Sequence, residues 1–128
     1  LIVGVGVDLV AVDRMERLLN CRWAQRFISR VFSGEEIAVC ERSARPAQCY
    51  AARFAAKEAL AKALGIGFSR GVTPAQIAVR GGERSRPQIE LNDAALDHAI
   101  SMDVAAIHVS LSHTPEGACA VVVLEKKD

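Results

Sequence analysis

The chain opens on a largely β-branched apolar run, LIVGVGVDLV, interrupted by two glycines and Asp8. That run predicts a strand buried on both faces. From about Asp13 the apolar positions change to helical spacing: Leu18, Trp23, Phe27 and Val31 recur on one side, with a break at Asn20. Ser33 followed by Glu36 predicts a capping box that opens a helix running to about Glu41. Pro46 suits the first turn of a longer helix through Leu64, which Gly65 ends, with Gly67 and Gly71 in the loop beyond.

The second half changes character. IAVRG and PQIEL predict short strands joined by the polar turn Gly82-Glu83-Arg84-Ser85. Asn92 is placed to cap a short helix whose apolar face is Ala95, Leu96, Ala99 and Ile100. AAIHVSLSH and ACAVVVLE predict two more strands around a Thr114-Pro115-Glu116-Gly117 turn. Helices gather early and hairpin-like strands late. The pattern argues for an α+β fold with a largely antiparallel sheet packed on helices, and against a doubly wound one.

Composition adjusts this picture little. The chain has 128 residues, 51% of them hydrophobic and 24% charged, which fits one domain, residues 1–128, with a real core. The net charge of +1 leaves no strong overall field, so electrostatic recognition must be local. The four cysteines, Cys21, Cys40, Cys49 and Cys119, form no CxxC pair and no zinc spacing with histidine. They read as reduced, mostly buried thiols, and favour a cytoplasmic location. No run is long and apolar enough for a membrane span, and no basic-then-apolar signal segment opens the chain.

Candidate chemistry begins with GVGVDL. A dinucleotide site fails there, because the third glycine of GxGxxG would fall on Leu9 and no P-loop lysine follows. What remains is Asp8 ending an apolar strand, where a carboxylate must cap a helix, pair or bind a cation; on its own a cap is the simpler reading. At about 100° per residue, Ala51, Phe54, Ala55, Glu58 and Lys62 share one side of the long helix. Glu58 and Lys62 there are either an i,i+4 ion pair or, with Asp8, two carboxylates and a lysine fit for magnesium and phosphate. Arg53 and Lys57 form a second i,i+4 pair, both positive, which is either a solvated face or an anion contact.

In IHVSLSH, residues His108, Ser110 and Ser112 share a strand face, and His113 ends the strand, better placed for a ligand. No neighbouring acid or GxSxG supports a serine hydrolase. Arg14 and Arg17, followed by Arg22, Arg26 and Arg30 at four-residue steps, make a basic stripe. It reads as a solvated face, or as a surface for an acidic partner or nucleic acid. Aromatics are only 5%, and Trp23 and Phe27 are expected on the core side, so stacking platforms for nucleic acid are poorly supported.

Taken together, GVGVDL, RFAAKEALAKALG and HVSLSH resemble, in order and spacing and over nearly the whole chain, the holo-acyl-carrier-protein synthase family of small 4′-phosphopantetheinyl transferases. The resemblance implies transfer of the phosphopantetheine arm of coenzyme A to a serine of an acidic apo acyl carrier protein, with release of adenosine 3′,5′-bisphosphate. It implies Asp8 and Glu58 as Mg2+ ligands, and Lys62 stabilising charge on the leaving phosphate. Glu58 would also help to deprotonate the attacking serine. Lys62, Arg53, Arg45, Pro87 and His113 become candidates for coenzyme A contacts, and Arg14, Arg22 and Arg26 for carrier docking. A homotrimer with sites between subunits is implied as well. The chain departs from the family at Ser85-Arg86-Pro87, where glycine often precedes the basic residue, which puts the local turn in question because serine resists positive φ. A coenzyme A or carrier binding module without catalysis, and a magnesium-dependent phosphohydrolase, are the competing readings.

Overall fold

The computed structural model describes residues 1–128. Strand β1 (Ile2–Ala11) leads directly into helices α1 (Val12–Asn20), α2 (Ala24–Val31), α3 (Gly34–Arg42) and α4 (Pro46–Ala63). A single 3₁₀ turn, Pro74–Gln76, precedes the β2 (Ile77–Arg80) and β3 (Gln88–Leu91) hairpin. Helix α5 (Asp93–Ser101) then leads to the β4 (Val104–His113) and β5 (Gly117–Lys126) hairpin. Both hairpins are antiparallel, and β5 also pairs antiparallel with β1, so the main sheet runs β1-β5-β4. The α+β organisation expected from the pattern is the one observed.

Local chemistry explains most boundaries. Ser33 Oγ accepts from the Glu36 amide at 3.2 Å, and Glu36 Oε1 accepts from the Ser33 amide at 2.7 Å, so the capping box is complete. Asn20 ends α1 and donates through Nδ2 to the Glu16 carbonyl. Gly65, at φ 84°, ends α4 in the left-handed region that glycine enters without strain. Asn92 stands at the N-cap of α5 but makes no side-chain cap bond. Gln76 does that work instead: its Oε1 accepts from the Ala95 amide at 3.0 Å.

Helix α4 is the axle of the molecule. It lies on β1 and β5 and is flanked by α1, α3 and β2. Ala51, Ala55, Ala56 and Ala59 are completely buried, because only a methyl group fits between so many neighbours. Of the two readings for Arg53 and Lys57, this burial rules out the solvated face: both are inside.

Other expectations also change. Trp23, expected on the core side, is 53% exposed, while Phe27 packs edge-on against Phe32 and Phe54. Leu96 and Ile100 are exposed, so only Ala95 and Ala99 form the buried face of α5. The opening strand is not buried on both faces: Val5, Val7 and Leu9 are 60%, 57% and 75% exposed. The expectation of four reduced thiols fails for Cys40 and Cys49, which form a disulfide. The turn between α3 and α4 brings their Cα atoms to 5.3 Å, a proximity that their spacing in sequence does not announce. Cys21 and Cys119 are free, the first exposed and the second half-buried.

Candidate active site

The two glycines of GVGVD lie against the α4 backbone. A Cβ on Gly4 would sit 2.1 Å from the Ala63 carbonyl oxygen, and one on Gly6 would sit 1.9 Å from that of Ala59. Two strand residues span about 6.8 Å and four helical residues about 6 Å, so a glycine on every second strand position matches one helical turn of alanines. The motif is therefore a notch that seats a helix directly on a strand. Asp8, next on the same inward face, is carried to the α4 surface.

There it meets the helix's acid and base. Lys62 Nζ donates to Asp8 Oδ1 at 2.8 Å and to the Val7 carbonyl at 3.2 Å. The Asp8 side chain is largely buried and the Lys62 side chain about half exposed. The hydrogen bond to Asp8, with Asp8's charge behind it, raises the lysine's pKa. Burial first, and the adjacent Asp8 carboxylate second, push the Glu58 carboxyl above the ordinary glutamate range; Lys62 and Arg14 pull the other way. Arg14 of α1 thus lies within the field of the cluster. Asp8 as a helix cap is set aside: α1 starts at Val12 after Ala11, with no side-chain cap bond.

Two crowded carboxylates, with the Asp8 charge adding to the proton affinity of Glu58, suit a divalent cation. The donor set is all oxygen, as magnesium prefers. No group of three or more His, Cys, Asp or Glu side chains gathers anywhere in the chain. Asp8 and Glu58 could therefore fill only part of a metal's shell, leaving the remainder to water and phosphate oxygens.

A second cluster lies along the same helix. Arg45, Gln48, Cys49, Arg53, Arg84 and His113 are among the residues lining a cavity of about 430 Å³. Arg53 donates from Nη2 to the Gly81 carbonyl at 2.8 Å and from Nη1 to Cys49 Sγ at 3.4 Å, while its buried Nε has no partner. Burial lowers the Arg53 pKa, with Glu36 and Glu83 opposing the effect. His113 Nδ1 is 2.9 Å from Gln48 Oε1. Arg45, Arg53 and His113, which the resemblance made candidates, thus line one cavity. Pro87 lines a separate cavity with Arg86 and His108. Ser85 is not among the residues at positive φ; Gly81 and Gly82 take that backbone geometry, and the turn closes through the Gly82 amide on the Ser85 carbonyl at 3.0 Å.

The clusters share one face of the sheet. Asp8 pairs with Ala120, which pairs in turn with Leu111, two residues before His113. Crossing two strand spacings and two residues puts Asp8 and His113 about 12 Å apart, the scale of a single extended, polyanionic ligand. The basic stripe lies beyond Glu58. None of Arg14, Arg17, Arg22, Arg26 or Arg30 is in an ion pair within the chain. The Arg22 and Arg26 guanidinium groups lie over the exposed Trp23 ring, 4.5 and 5.4 Å from its centroid.

Sequence reasoning missed Gln48, the Gly81 carbonyl and the partners of Lys57. Only the paired glycines and alanines, GxG against AxxxA, carried a readable signal of how the site is assembled.

Comparison with known proteins shows which family the chain resembles. The model of the 4′-phosphopantetheinyl transferase superfamily matches residues 4–122. A holo-[acyl-carrier-protein] synthase of Syntrophus aciditrophicus is 44% identical over 122 residues, 95% of this chain and 94% of that protein. The crystal structure of a holo-[acyl-carrier-protein] synthase from Neisseria meningitidis superposes with a TM-score of 0.87 at 30% identity, covering 98% of this chain and all of that one. One from Bacillus anthracis, in complex with CoA (3′,5′-ADP), gives 0.79 at 33% identity and covers 98% of each chain. The seated helix, its paired carboxylates and the basic cavity beside them thus lie in a chain that belongs to the 4′-phosphopantetheinyl transferase superfamily.

Proposed function

We propose that residues 1–128 act as one domain that transfers the 4′-phosphopantetheine group of coenzyme A to a serine of an apo acyl carrier protein, with magnesium. The observation that carries this reading is the convergence of Asp8, Glu58 and Lys62 beside a cavity lined by Arg45, Arg53 and His113. Asp8 and Glu58 would hold the Mg2+, which supplies charge neutralisation on the pyrophosphate. Lys62, fixed by Asp8, presents an ammonium to the departing phosphate. Glu58, with its raised proton affinity, accepts the proton of the carrier's serine. The serine oxygen bonds to the phosphorus that bears the pantetheine, and the bridging P–O bond breaks toward adenosine 3′,5′-bisphosphate. Arg53, Arg45 and His113 bind coenzyme A phosphates, with Pro87 at the margin. The planar arginine fork suits that task.

The carrier side is supported by the unpaired arginines. Arg14, Arg22 and Arg26 offer an acidic protein a surface with no internal competitor, and Arg14 reaches the cluster around Glu58. A homotrimer is the third part of the proposal. It is supported by the uncovered apolar face of Val5, Val7 and Leu9, which a neighbouring subunit would bury. The cytoplasmic location belongs to the same reading. The disulfide weakens the thiol argument for it, and what supports it is the co-substrate. No helix is long and apolar enough to cross a membrane.

The test is direct. The chain is incubated with coenzyme A, Mg2+ and a panel of apo carrier proteins, and each carrier is weighed by mass spectrometry. A phosphopantetheine mass increase that disappears with chelator is expected. No increase on any carrier overturns the proposal, and release of adenosine bisphosphate without a carrier would favour a phosphohydrolase.

A further inference from the structure

Lys57 has no part in the chemistry above, yet it is the best-anchored polar side chain in the molecule. Its Nζ donates to Glu36 Oε1 at 3.0 Å, to the Pro74 carbonyl at 3.1 Å and to the Ile77 carbonyl at 2.5 Å. Both side chains of the pair are essentially inaccessible. Glu36 is fully engaged in turn: Oε1 also accepts from the Ser33 amide at 2.7 Å, and Oε2 accepts from the Val79 amide at 2.8 Å. One ion pair thus ties α4 to the start of α3, the 3₁₀ turn and β2. An ammonium with three acceptors on a side chain that solvent does not reach cannot serve as a phosphate ligand.

Its place on the helix suggests another role. At about 100° per residue, Glu58 and Lys62 lie about 100° and 140° from Lys57, while Ala59 and Ala63 lie at about 200° and 240°. The working residues therefore occupy the arc between two anchors. On one side is the Lys57–Glu36 pair, and on the other the glycine notch that receives Ala59 and Ala63. A group about 6 Å from the helix axis moves about 1 Å when the helix turns by about 10°. Misplacement on that scale can reduce rate about 100-fold.

We propose that Lys57 is a positioning residue: through its buried pair with Glu36 it fixes the rotation of α4, and so the orientation of Glu58 toward Asp8. This rests on the reading of Asp8 and Glu58 as cation ligands.

The test uses the full chain, with Lys57→Met and the double variant Lys57→Met/Glu36→Gln. The second variant removes the carboxylate that the first leaves buried and unpaired, while its one amide oxygen keeps an acceptor for one of the two amides, Ser33 or Val79. Three quantities are measured at a temperature where each variant is folded: Mn2+ affinity by electron paramagnetic resonance, kcat, and KM for the carrier. Positioning predicts Mn2+ binding weakened about tenfold and kcat down about 100-fold in both variants, with an unchanged carrier KM. A merely stabilising pair would lower the number of Mn2+ sites and the active fraction but leave Mn2+ affinity and the kcat of the folded fraction alone, and that result overturns the proposal. Failure of both variants to fold also overturns it, because the pair would then be a requirement of the fold. Wild-type chain that transfers phosphopantetheine yet shows no Mn2+ site at Asp8 and Glu58 would remove the premise and leave the transferase reading standing.

Discussion

Glu58 is the residue at which burial and function conflict most plainly. Its ionised form is penalised first by burial and then by Asp8, so its folded pKa lies above the unfolded value. For a carboxyl with a raised pKa, the protonated form favours the fold. Stability is therefore lost as pH rises from the ordinary glutamate range through the folded pKa. Glu58→Gln should consequently melt higher than the parent at neutral pH in the absence of divalent cation, with the gap closing below the ordinary glutamate range. The same variant should lower transfer at least about 100-fold. Equal melting temperatures across that pH range, or near-normal transfer, would refute these roles. For Arg14→Glu the expected change is confined to the carrier: its KM rises about tenfold, about 1.4 kcal/mol, the increase shrinks with added salt, and the KM for coenzyme A stays put. Helical periodicity made the shared side of Glu58 and Lys62 legible in the sequence, but Asp8 joined them firmly only through the family resemblance, since on its own it read more simply as a cap. Arg53 and Lys57 were not legible. Like charges four apart look solvated until Glu36, Gly81 and the 3₁₀ turn close over them, and those partners are 17 to 28 residues away.

At the scale of elements, the site depends on how closely α4 can approach β1. The order of strands and helices followed from hydrophobic period and turn chemistry. The central place of α4 did not, because an alanine-rich helix with four interspersed charges has no obvious apolar stripe. What identifies it is the match between Gly4 and Gly6 and the Ala63 and Ala59 carbonyls. Gly6→Ala should force the helix off the strand and destabilise the chain by about 3 kcal/mol, read as a lowered urea midpoint. A midpoint unchanged from the parent would mean that the notch is not tight. The turn before β3 shows the converse. Ser85 raised a question that the chain answers by placing its positive φ values at Gly81 and Gly82.

For the whole molecule, the decisive feature is a sheet covered on one side only. The helices bury the inner face, while β1 presents Val5, Val7 and Leu9 outward beside Val121. The third strand contributes His108, paired to Glu125 at 2.8 Å, so the apolar patch is confined to two strands. The strand was expected to be buried on both faces. In a trimer that expectation would be met by another chain, which a single sequence does not display. The proposed trimer therefore predicts that Leu9→Asp sediments as a monomer in analytical ultracentrifugation where the parent sediments as a trimer, with the circular dichroism of the fold unchanged. Persistence of the parent mass would place the contact elsewhere.

The strand that begins the chain consequently has two sets of tenants. Its even positions 4, 6 and 8 answer to a helix and to the proposed cation site, and its odd positions 5, 7 and 9 to the neighbour of the proposed trimer. A substitution at nearly any point along it meets one constraint or the other, so β1 has little room to drift. Tolerance should instead collect in the solvent-facing arc of α5 and in the turn from Glu83 to Arg86. A saturation library scored for transfer would then show an unbroken bar of intolerance over β1, followed by a periodic one over the buried and working positions of α4.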